Sequence, residues 1–445
     1  MPSPSTPHIA IVGSGPAGCY LASALLRALP DCEITLFDRL ASPYGLIRYG
    51  VAADHQHTKA ITRQFERLFA NPGVRFAGDI TIGRDVTLAE LEGSFDAVVL
   101  ATGRSADRPL PVPGGDLPGV IGSGAITRAL NSHPGTAPLP PLGSDVVIVG
   151  AGNVALDLLR FLVKDRSGYA ASDVADPVLE AYLADPVQRI TVLSRSDAAR
   201  SKGDPQMIKE LIALPRGRYT TSGAMCAPEH APSSTPEART PESRTAEART
   251  AEARTAAYTD LTAPTRIPTA GPDVQLIFGA TPERVRGDGH VTAVDVQTGA
   301  GLTSIPATAV LTAIGFDSDP ADELARLCAA PSPESGRLRP GLYRTGWAKR
   351  GPNGAIPENR ACAKAVADEI VSDIAAGMLV PNAAKRGFAA LPAHVREQAI
   401  TFAQWGALDA HEQASAHPDR VRQKLTDHAE MAAIARGTAD TRTPA

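Results

Sequence analysis

The sequence predicts an α/β fold with two doubly wound parallel sheets, because one glycine pattern occurs twice, each time between a strand-like and a helix-like segment. The first copy follows the apolar residues 9–12, and the second follows residues 146–149. A single GxGxxG pattern is weak support, since glycine-rich turns are common. Two copies in a strand–turn–helix setting indicate two Rossmann-like dinucleotide-binding folds in one polypeptide.

The first glycine turn has the features of a pyrophosphate site. Gly13 would form the tight turn, and Gly15 would let a phosphate approach the backbone. Gly18 would let the helix predicted for residues 19–29 pack closely on its strand. The free N–H groups and the positive end of that helix would then face the pyrophosphate.

The strand after the first helix predicts a partner for a ribose. Residues 33–37 form this strand, and Asp38 follows it about twenty residues beyond the last glycine. A carboxylate at this place accepts a hydrogen bond from a ribose hydroxyl. The alternative is a structural turn followed by an ordinary surface aspartate.

The second glycine turn predicts a second nucleotide site. Gly150 and Gly152 supply the turn, whereas Ala155 replaces the third glycine. The next predicted strand, residues 189–193, is followed by Arg195, where the first fold has an aspartate. A cation at this place suits a 2′-phosphate and therefore NADPH. The alternative is a surface arginine without a ligand.

Length and composition limit the class of protein. A chain of 445 residues exceeds the usual single core, so we expect two or three domains. A net charge of −4 argues against a nucleic-acid partner. Residues 1–7 lack the features of a signal peptide, and no apolar run approaches the roughly 20 residues that cross a bilayer. We therefore expect a soluble, cytoplasmic protein without a membrane span.

The cysteine spacing argues against two kinds of redox centre. The five cysteines form no CxxC or CxxxxC pair, which disfavours a redox-active disulfide of the thioredoxin or glutathione reductase type. It also disfavours an iron–sulfur cluster within this chain. We expect no metal site and assign the cysteines to small apolar spaces. They are Cys19, Cys32, Cys226, Cys328 and Cys362.

A five-residue repeat interrupts the second fold. It reads PEART, PESRT and then AEART twice over residues 236–255, within Pro-, Ser- and Thr-rich sequence from about residue 225 to 272. This segment has almost no large apolar side chains, so burial cannot offset the entropy lost on ordering. Glu–Arg pairs on neighbouring helical turns add only a few tenths of a kcal/mol to a helix. We expect a mobile surface insertion.

Two longer blocks resemble the adrenodoxin-reductase branch of the ferredoxin–NADP reductases. Residues 42–55 read SPYGLIRYGVAADH, with Lys59 beyond them, and residues 346–356 read GWAKRGPNGAI. Shorter matches are VLATG at residues 99–103, AIGF at residues 313–316 and the tail around Trp405. The likeness spans most of the chain and breaks down only between about residues 216 and 270.

The resemblance implies a flavoprotein that moves electrons between two kinds of carrier. FAD would take a hydride from NADPH, and single electrons would pass to a ferredoxin-type iron–sulfur protein, in some cases upstream of a cytochrome P450. NADH stays open as a donor, because relatives usually have two adjacent arginines after the second nucleotide strand and Ser196 takes the second place here. Arg200 and Lys202 could substitute if their loop curls back.

The resemblance also assigns site residues. The FAD site would comprise Gly13, Gly15, Pro16, Ala17, Gly18, Asp38, Gly45, Leu46, Val51, Ala101, Thr102, Gly103, Trp347, Gly354 and Ile356. The nicotinamide-nucleotide site would comprise Gly150, Gly152, Asn153, Val154, Arg195 and Glu210, with Trp347 at its border. His55, Glu210 and Trp347 are the expected catalytic residues, since a histidine beside a carboxylate can relay protons. The alternative for each is a structural role.

The resulting domain prediction is a flavin domain interrupted by a nicotinamide domain. The boundaries are residues 1–107 for the first part of the FAD domain, 108–330 for the NAD(P) domain and 331–445 for the second part of the FAD domain. Helices are expected near residues 362–376 and 419–435.

Two other functional classes remain open at the level of sequence. One is a diaphorase or monooxygenase that uses a small-molecule acceptor or oxygen. N-hydroxylating monooxygenases usually carry FxGxxxH between the two folds, and this motif is not found here. The other class is a nucleotide-binding regulatory protein that has lost the chemistry.

Overall fold

The structure is a computed structural model that describes residues 6–225, 241–329, 334–354 and 356–438, without the side chains of residues 241–246. The strands are β1 His8–Val12, β2 Glu33–Phe37, β3 Val74–Ala77, β4 Ala97–Leu100, β5 Ala106–Asp107, β6 Val120–Gly122, β7 Asp145–Val149, β8 Arg189–Ser194, β9 Arg216–Gly223, β10 Ala270–Phe278, β11 Thr281–Gly287, β12 Val291–Thr298, β13 Gly301–Pro306, β14 Ala309–Thr312, β15 Phe316–Asp317, β16 Arg337–Arg339 and β17 Leu342–Arg344.

Helices connect and cover these strands. The α-helices are α1 Pro16–Ala28, α2 Leu46–Tyr49, α3 Gln56–Lys59, α4 Thr62–Phe69, α5 Leu88–Ser94, α6 Ser123–Leu130, α7 Asn153–Val163, α8 Asp176–Ala184, α9 Pro205–Ala213, α10 Pro241–Leu261, α11 Glu323–Cys328, α12 Trp347–Arg350, α13 Ile356–Ala375, α14 Ala393–Gln398, α15 Phe402–Ala414 and α16 His428–Arg436. Short 3₁₀ helices lie at Arg166–Tyr169 and Gly387–Ala390. None of the helices in these described ranges combines the length and apolar character needed to cross a membrane.

The first sheet joins strands from both ends of the chain. Its order is β16-β17-β4-β1-β2-β3, and all its pairings are parallel except that of β16 with β17. The central strands are apolar and buried along nearly their whole length, as expected for a parallel sheet covered on both faces. Because β17 pairs with β4, residues that follow the second sheet complete the first one.

The second sheet has the order β6-β14-β7-β8-β10-β9, with parallel pairings throughout. An antiparallel three-stranded sheet, β11 to β13, packs against one face through a cluster that includes Val147, Val294 and Val310. The two parallel sheets confirm the predicted α/β fold with two Rossmann-like units.

The chain passes between the two sheets at a small two-stranded link. Strand β5 lies on the outgoing segment and pairs antiparallel with β15 on the returning segment. The amide of Arg108 also donates to the carbonyl oxygen of Gly315 at 3.1 Å. The two crossings between the sheets therefore lie side by side.

The repeat segment differs from the expected mobile insertion. Residues Pro241–Leu261 form helix α10, and its C-terminal end is anchored because Ala257, Tyr258 and Leu261 are buried in the core of the second sheet unit. Residues 226–240 lie outside the described part. The anchoring side chains follow the repeat, so the composition of the repeat alone did not reveal them.

The helices near the C-terminus follow the prediction in part. Helix α13 begins at Ile356, six residues before the predicted start, and packs along α1. The helix expected from residue 419 begins only at His428, since the Asp427 side chain accepts a hydrogen bond from the Glu430 amide at 2.9 Å and caps it there. The four described cysteines are free and buried, and they are Cys19, Cys32, Cys328 and Cys362.

Candidate active site

The first glycine turn lies at the end of β1, against the loop that follows β4. Gly13 has φ +114°, and a Cβ at this position would lie 2.4 Å from the Ala101 carbonyl oxygen. A Cβ on Gly18 would lie 2.0 Å from the carbonyl oxygen of Gly13. Neither position accepts a side chain without moving the backbone, so both glycines fix the tight turn that the sequence predicted.

Bare backbone lines the opening of this turn. A Cβ on Gly45, which has φ +48°, would lie 3.1 Å from the Cα of Gly15. Gly15 is also the N-cap of the 13-residue helix α1, with Pro16 at the first turn and no side chain capping the N–H groups. A helix N-terminus left free of caps and approached only by glycine backbone fits a pyrophosphate.

Asp38 follows β2, as predicted, and already holds the turn. Its Oδ2 accepts hydrogen bonds from the Ser14 amide at 3.1 Å and from the Ser14 hydroxyl at 2.5 Å, and its Oδ1 accepts from the Leu40 amide at 3.1 Å. Burial raises the pKa of this carboxyl, while the hydrogen bonds from Ser14 and Leu40 act in the opposite direction. Asp38 therefore shapes the loop in addition to its predicted role toward a ribose.

Other residues predicted for the FAD site lie on the segments that follow Gly45 and β4. Leu46 begins α2 directly after Gly45, and its carbonyl oxygen accepts from the Val51 amide at 2.7 Å. Ala101 is buried at the end of β4, where its amide donates to the Val12 carbonyl oxygen at 2.8 Å. Thr102 is exposed, and Gly103 takes φ +72° in the loop that follows.

The C-terminal block meets the first glycine turn directly. Gly346 has φ +61°, and a Cβ placed on it would lie 2.5 Å from the Cβ of Ala17. The preceding residue, Thr345, donates from its amide to the Leu100 carbonyl oxygen at 2.9 Å. The blocks at residues 42–55, 99–103 and 346–356 therefore converge on one site, although they are far apart in sequence.

Trp347 lies at the edge of this site, where the chain crosses between the sheets. Its ring stacks on Phe316 with centroids 5.7 Å apart and planes 24° apart. Its carbonyl oxygen accepts from Arg104 Nε at 3.2 Å. Its indole Nε1 is buried without a hydrogen-bond partner among the described residues. An unpaired buried donor of this kind fits a site whose ligand completes the hydrogen bonding. Gly354, with φ +79°, and Ile356, the first residue of α13, close the block.

The second glycine turn repeats the geometry of the first. Gly150 has φ +118°, and a Cβ there would lie 2.5 Å from the Ala313 carbonyl oxygen. Gly152 is the N-cap of α7, which has no capping side chain and no acid in its first turn. Asn153 and Val154 form that first turn, and Ala155 is buried in the core, so the helix tolerates a methyl group in place of the third glycine.

The cations near this turn differ in whether another side chain already pairs with them. Arg195 and Lys202 are exposed and form no hydrogen bond or ion pair with the rest of the described chain. Arg200, the other expected substitute for a second arginine, is held by Asp197, whose Oδ2 lies 2.7 Å from Nε. Lys202 lies at the glycine turn, because a Cβ on Gly152 would be 3.7 Å from the Lys202 Cβ.

His55 and Glu210, predicted together, are in direct contact. The Nε2 atom of His55 lies 2.9 Å from Oε2 of Glu210, across 155 residues of sequence. His55 precedes α3 next to the FAD site, and Glu210 lies on α9 next to the second nucleotide site. The pair therefore bridges the two sheet units.

Arg160 organises the groups around this pair, and sequence reasoning missed it. Its guanidinium contacts His55 Nε2 and donates to Glu210 at 2.7 Å, to Asp157 at 3.0 Å and to both oxygens of Asp54 at 2.5 Å. The available signal was its place three residues after Asp157 on the helix of the second glycine turn. The positions of Asp54 and Glu210 relative to it depend on the tertiary fold.

The two aspartates of this cluster have opposite pKa shifts. Burial raises the pKa of Asp157 to about 6, although Arg160 and His55 act to lower it. Burial also acts to raise the pKa of Asp54, but Arg160 and Lys164 outweigh it and hold this pKa at about 2. The Asp157 carboxyl can therefore bind a proton near neutral pH.

Comparison with known proteins agrees with this geometry. The sequence model of the family described as "Pyridine nucleotide-disulphide oxidoreductase" matches residues 7–213, which include both glycine turns. A cindoxin reductase of Citrobacter braakii is 40% identical over 444 residues, covering 98% of this chain and 93% of that protein. A probable ferredoxin/ferredoxin–NADP reductase of Mycobacterium tuberculosis is 36% identical over 443 residues, covering 96% of this chain and 75% of that protein.

The fold is also similar to a solved structure. The structure of Mycobacterium tuberculosis FprA in complex with NADPH has a TM-score of 0.84 and 27% sequence identity, covering 97% of this chain and 100% of that chain. The likeness thus extends over both sheet units and the blocks that meet between them. The chain belongs to the adrenodoxin-reductase-like family of ferredoxin–NADP reductases.

Proposed function

We propose that this chain is an FAD-dependent NADPH:ferredoxin reductase. The observation that carries the proposal is the contact of Gly346 and the Trp347 block with the first glycine turn, at the point where the second nucleotide unit joins the first. The uncapped N-terminus of α1 lies at this contact, and the uncapped N-terminus of α7 belongs to the unit that joins the first one there. The names of its relatives, cindoxin reductase and ferredoxin–NADP reductase, agree with this activity.

The first unit holds FAD. The uncapped N-terminus of α1 and the glycine backbone of Gly15 and Gly45 receive the pyrophosphate, and Asp38 supports the turn and faces the ribose. Trp347 and the residues up to Ile356 border the ring system. Bound FAD supplies the conversion between a two-electron hydride donor and a one-electron acceptor.

The second unit holds NADPH. The N-terminus of α7 at Gly152 receives its pyrophosphate, and the unpaired cations Arg195 and Lys202 supply positive charge for the 2′-phosphate. Residues 1–107 and 331–445 are proposed as the two parts of the FAD domain, and residues 108–330 as the NADPH domain.

The cluster between the two units is proposed to hold a proton. Three carboxylates, those of Asp54, Asp157 and Glu210, face the two permanent cations Arg160 and Lys164. Because the acids outnumber these cations by one in a partly buried place, binding of a proton within the cluster is favoured, and burial raises the pKa of Asp157 to about 6. We propose that His55 and Glu210 exchange this proton with the reaction site.

The proposed partner is a ferredoxin-type iron–sulfur protein, which would bind through an acidic surface. The cations proposed for this contact are Arg195, Arg200, Lys202, Lys209, Lys349 and Arg350. Lys209 and Lys349 are better candidates for this contact than Arg200 and Arg350. Arg200 is paired with Asp197, and Arg350 donates hydrogen bonds to Asn353 and Asn359. A cytochrome P450 downstream of this partner is proposed from the family resemblance.

The deciding experiment is NADPH-driven cytochrome c reduction with and without a panel of ferredoxins. We expect a yellow protein with non-covalent FAD, stimulation by at least one ferredoxin, and a rate that falls as salt screens the encounter. Substrate-dependent oxygen uptake without stimulation by any ferredoxin would instead identify a monooxygenase. A folded, colourless preparation that takes up no added FAD would contradict both.

A cytoplasmic location is part of the proposal. The described thiols are free and buried, which agrees with a reducing compartment. Cell fractionation followed by immunodetection tests it.

A further inference from the structure

The C-terminal part of helix α10 contacts the turn that follows strand β8. Arg254 donates from Nε to the Gly203 carbonyl oxygen at 2.6 Å and from Nη1 to the Ala199 carbonyl oxygen at 2.5 Å. One guanidinium therefore bridges both ends of residues 199–203, which we call the cation turn.

The cation turn brings positive charge to the second glycine turn. Lys202 is exposed and lies beside Gly152, as described above. Just beyond it, the Asp204 amide donates to Oδ1 of Asn153, at the start of α7, at 2.7 Å. Since Arg200 is paired with Asp197, Lys202 is the cation of this turn that a ligand phosphate can bind.

Helix α10 is anchored in the core close to Arg254. Tyr258, one helical turn further on, is fully buried, and its ring meets Phe278 edge-on with centroids 5.0 Å apart. Gly203 lies against the same core, because a Cβ there would be 2.9 Å from the Leu156 side chain and 3.2 Å from the Ala151 carbonyl oxygen. The contacts of Arg254 thus link a rigid helix to a turn that lies directly on the glycine turn.

We propose that Arg254 is a positioning residue for NADPH selectivity, holding the cation turn so that Lys202 reaches the 2′-phosphate. The inference rests on the proposed function, because it takes the second glycine turn as the NADPH site. It assigns the end of the AEART repeat a role in nucleotide recognition, which the sequence did not indicate. Arg254 would act through Lys202 and would not itself touch the phosphate.

The repeat offers a matched control. Arg249 holds the same place one repeat earlier, is exposed and forms no hydrogen bond or ion pair with the described residues. Arg254→Ala, Arg254→Lys, Lys202→Ala and Arg249→Ala are compared by calorimetric binding of adenosine 2′,5′-bisphosphate and of adenosine 5′-monophosphate to the holoprotein. Steady-state KM and kcat are measured with NADPH and with NADH.

Arg254→Ala is expected to weaken binding of the bisphosphate about tenfold, the effect of one charge-assisted contact, and to leave binding of the monophosphate unchanged. KM for NADPH should rise with kcat retained, and KM for NADH should not change. Arg254→Lys should recover part of the loss, and Arg249→Ala should match the wild type. In the Lys202→Ala background, Arg254→Ala should have no further effect on the ratio of the two affinities.

Two results would overturn the inference. One is an unchanged affinity ratio in folded Arg254→Ala, which would give the residue a purely structural role. The other is an unchanged ratio in Lys202→Ala, which decides the matter even if Arg254→Ala fails to fold. Failure of the proposed function looks different, because the wild type itself would then show no preference for the bisphosphate.

Discussion

Asp38 has a proposed role toward the ribose of FAD and also holds Ser14 within the glycine turn. Asp38→Asn keeps the size of the side chain but removes the charge that accepts both Ser14 bonds. We expect the Kd for FAD to rise by a factor that corresponds to about 1.5–3 kcal/mol. Flavin release measured by fluorescence during dilution tests this, with exposed Asp31→Asn as the control. Equal flavin retention in the two variants would contradict the assignment.

The raised pKa of Asp157 makes a prediction about stability and pH. Its folded pKa of about 6 lies above the ordinary value of 3.8, so the folded state binds more protons than the unfolded state between these values. The ionised carboxyl therefore costs stability above pH 6, and the cost disappears as the pH falls toward 4. Asp157→Asn should stabilise the protein at pH 7.5 by about 1–2 kcal/mol, less than the full pKa displacement because the group is partly exposed.

The gain from Asp157→Asn should shrink at pH 5, where the wild-type carboxyl is already protonated. Urea unfolding at both pH values measures it, and exposed Asp288→Asn should show no such pH dependence. A gain of equal size at pH 5 and pH 7.5 would show that the effect does not arise from ionisation.

The sequence predicted the position of a residue where a motif determines which other residues surround it. The glycines of both turns, Asp38 and the pairing of His55 with Glu210 followed from motif and resemblance. Arg160 did not, because its partners come from three separate segments and its own position reads as an ordinary helical arginine. The sequence also did not reveal that the Lys202 side chain is unpaired, because this depends on Asp197 pairing with Arg200 instead.

Secondary-structure elements show the same division. Strand β2 matches the predicted residues 33–37, and strand β8 covers the predicted residues 189–193, because buried parallel strands have a strong apolar signal. Helix α10 was not expected, since its repeat lacks that signal and its anchors, Ala257, Tyr258 and Leu261, come after it. A short run of apolar residues beyond a polar repeat was enough to attach the helix to the core.

The two parts of α10 should respond differently to mutation. Tyr258→Ala empties a fully buried site beside Phe278 and should cost about 3–5 kcal/mol of unfolding free energy. Deletion of residues 241–250, which leaves Arg254 and the anchors in place, should change stability by less than about 1 kcal/mol, because loop closure depends weakly on length. Urea unfolding of the two variants tests this. A deletion as costly as Tyr258→Ala would mean that the early repeats also pack on the body.

At the scale of the whole molecule, a buried lysine cluster joins three parts of the chain. Lys59 Nζ lies 2.6 Å from Asp173 Oδ1, Lys424 Nζ lies 3.0 Å from Asp173 Oδ2, and both ammonium groups contact Oδ1 of Asn131. Burial lowers the pKa of both lysines, although Asp173 acts against this. The first sheet unit, the second unit and the C-terminal segment thus share one aspartate.

This cluster predicts an asymmetric response to mutation. Asp173→Asn leaves two lysines near each other without an anion and should destabilise the protein by about 3–5 kcal/mol. Lys424→Met added to Asp173→Asn should recover part of the loss, because it removes one of the two unpaired charges. Thermal unfolding of the single and double variants measures this. A double variant less stable than Asp173→Asn would show that Lys424 contributes mainly by packing.

The pairing of β5 with β15 brings the entry and exit of the second unit next to each other, so residues 108–315 have the geometry of an exchangeable cassette. A chimera could receive this segment from a relative with a different nucleotide preference. Its two junctions with the first unit would then lie next to each other. The graft must also carry its own partners for the residues that reach across the boundary, since His55 contacts Glu210 and Lys59 contacts Asp173. Recombination within this family is therefore limited by the ionic contacts across this boundary, which also include Asp54 with Arg160 and Lys424 with Asp173, and not by the path of the chain.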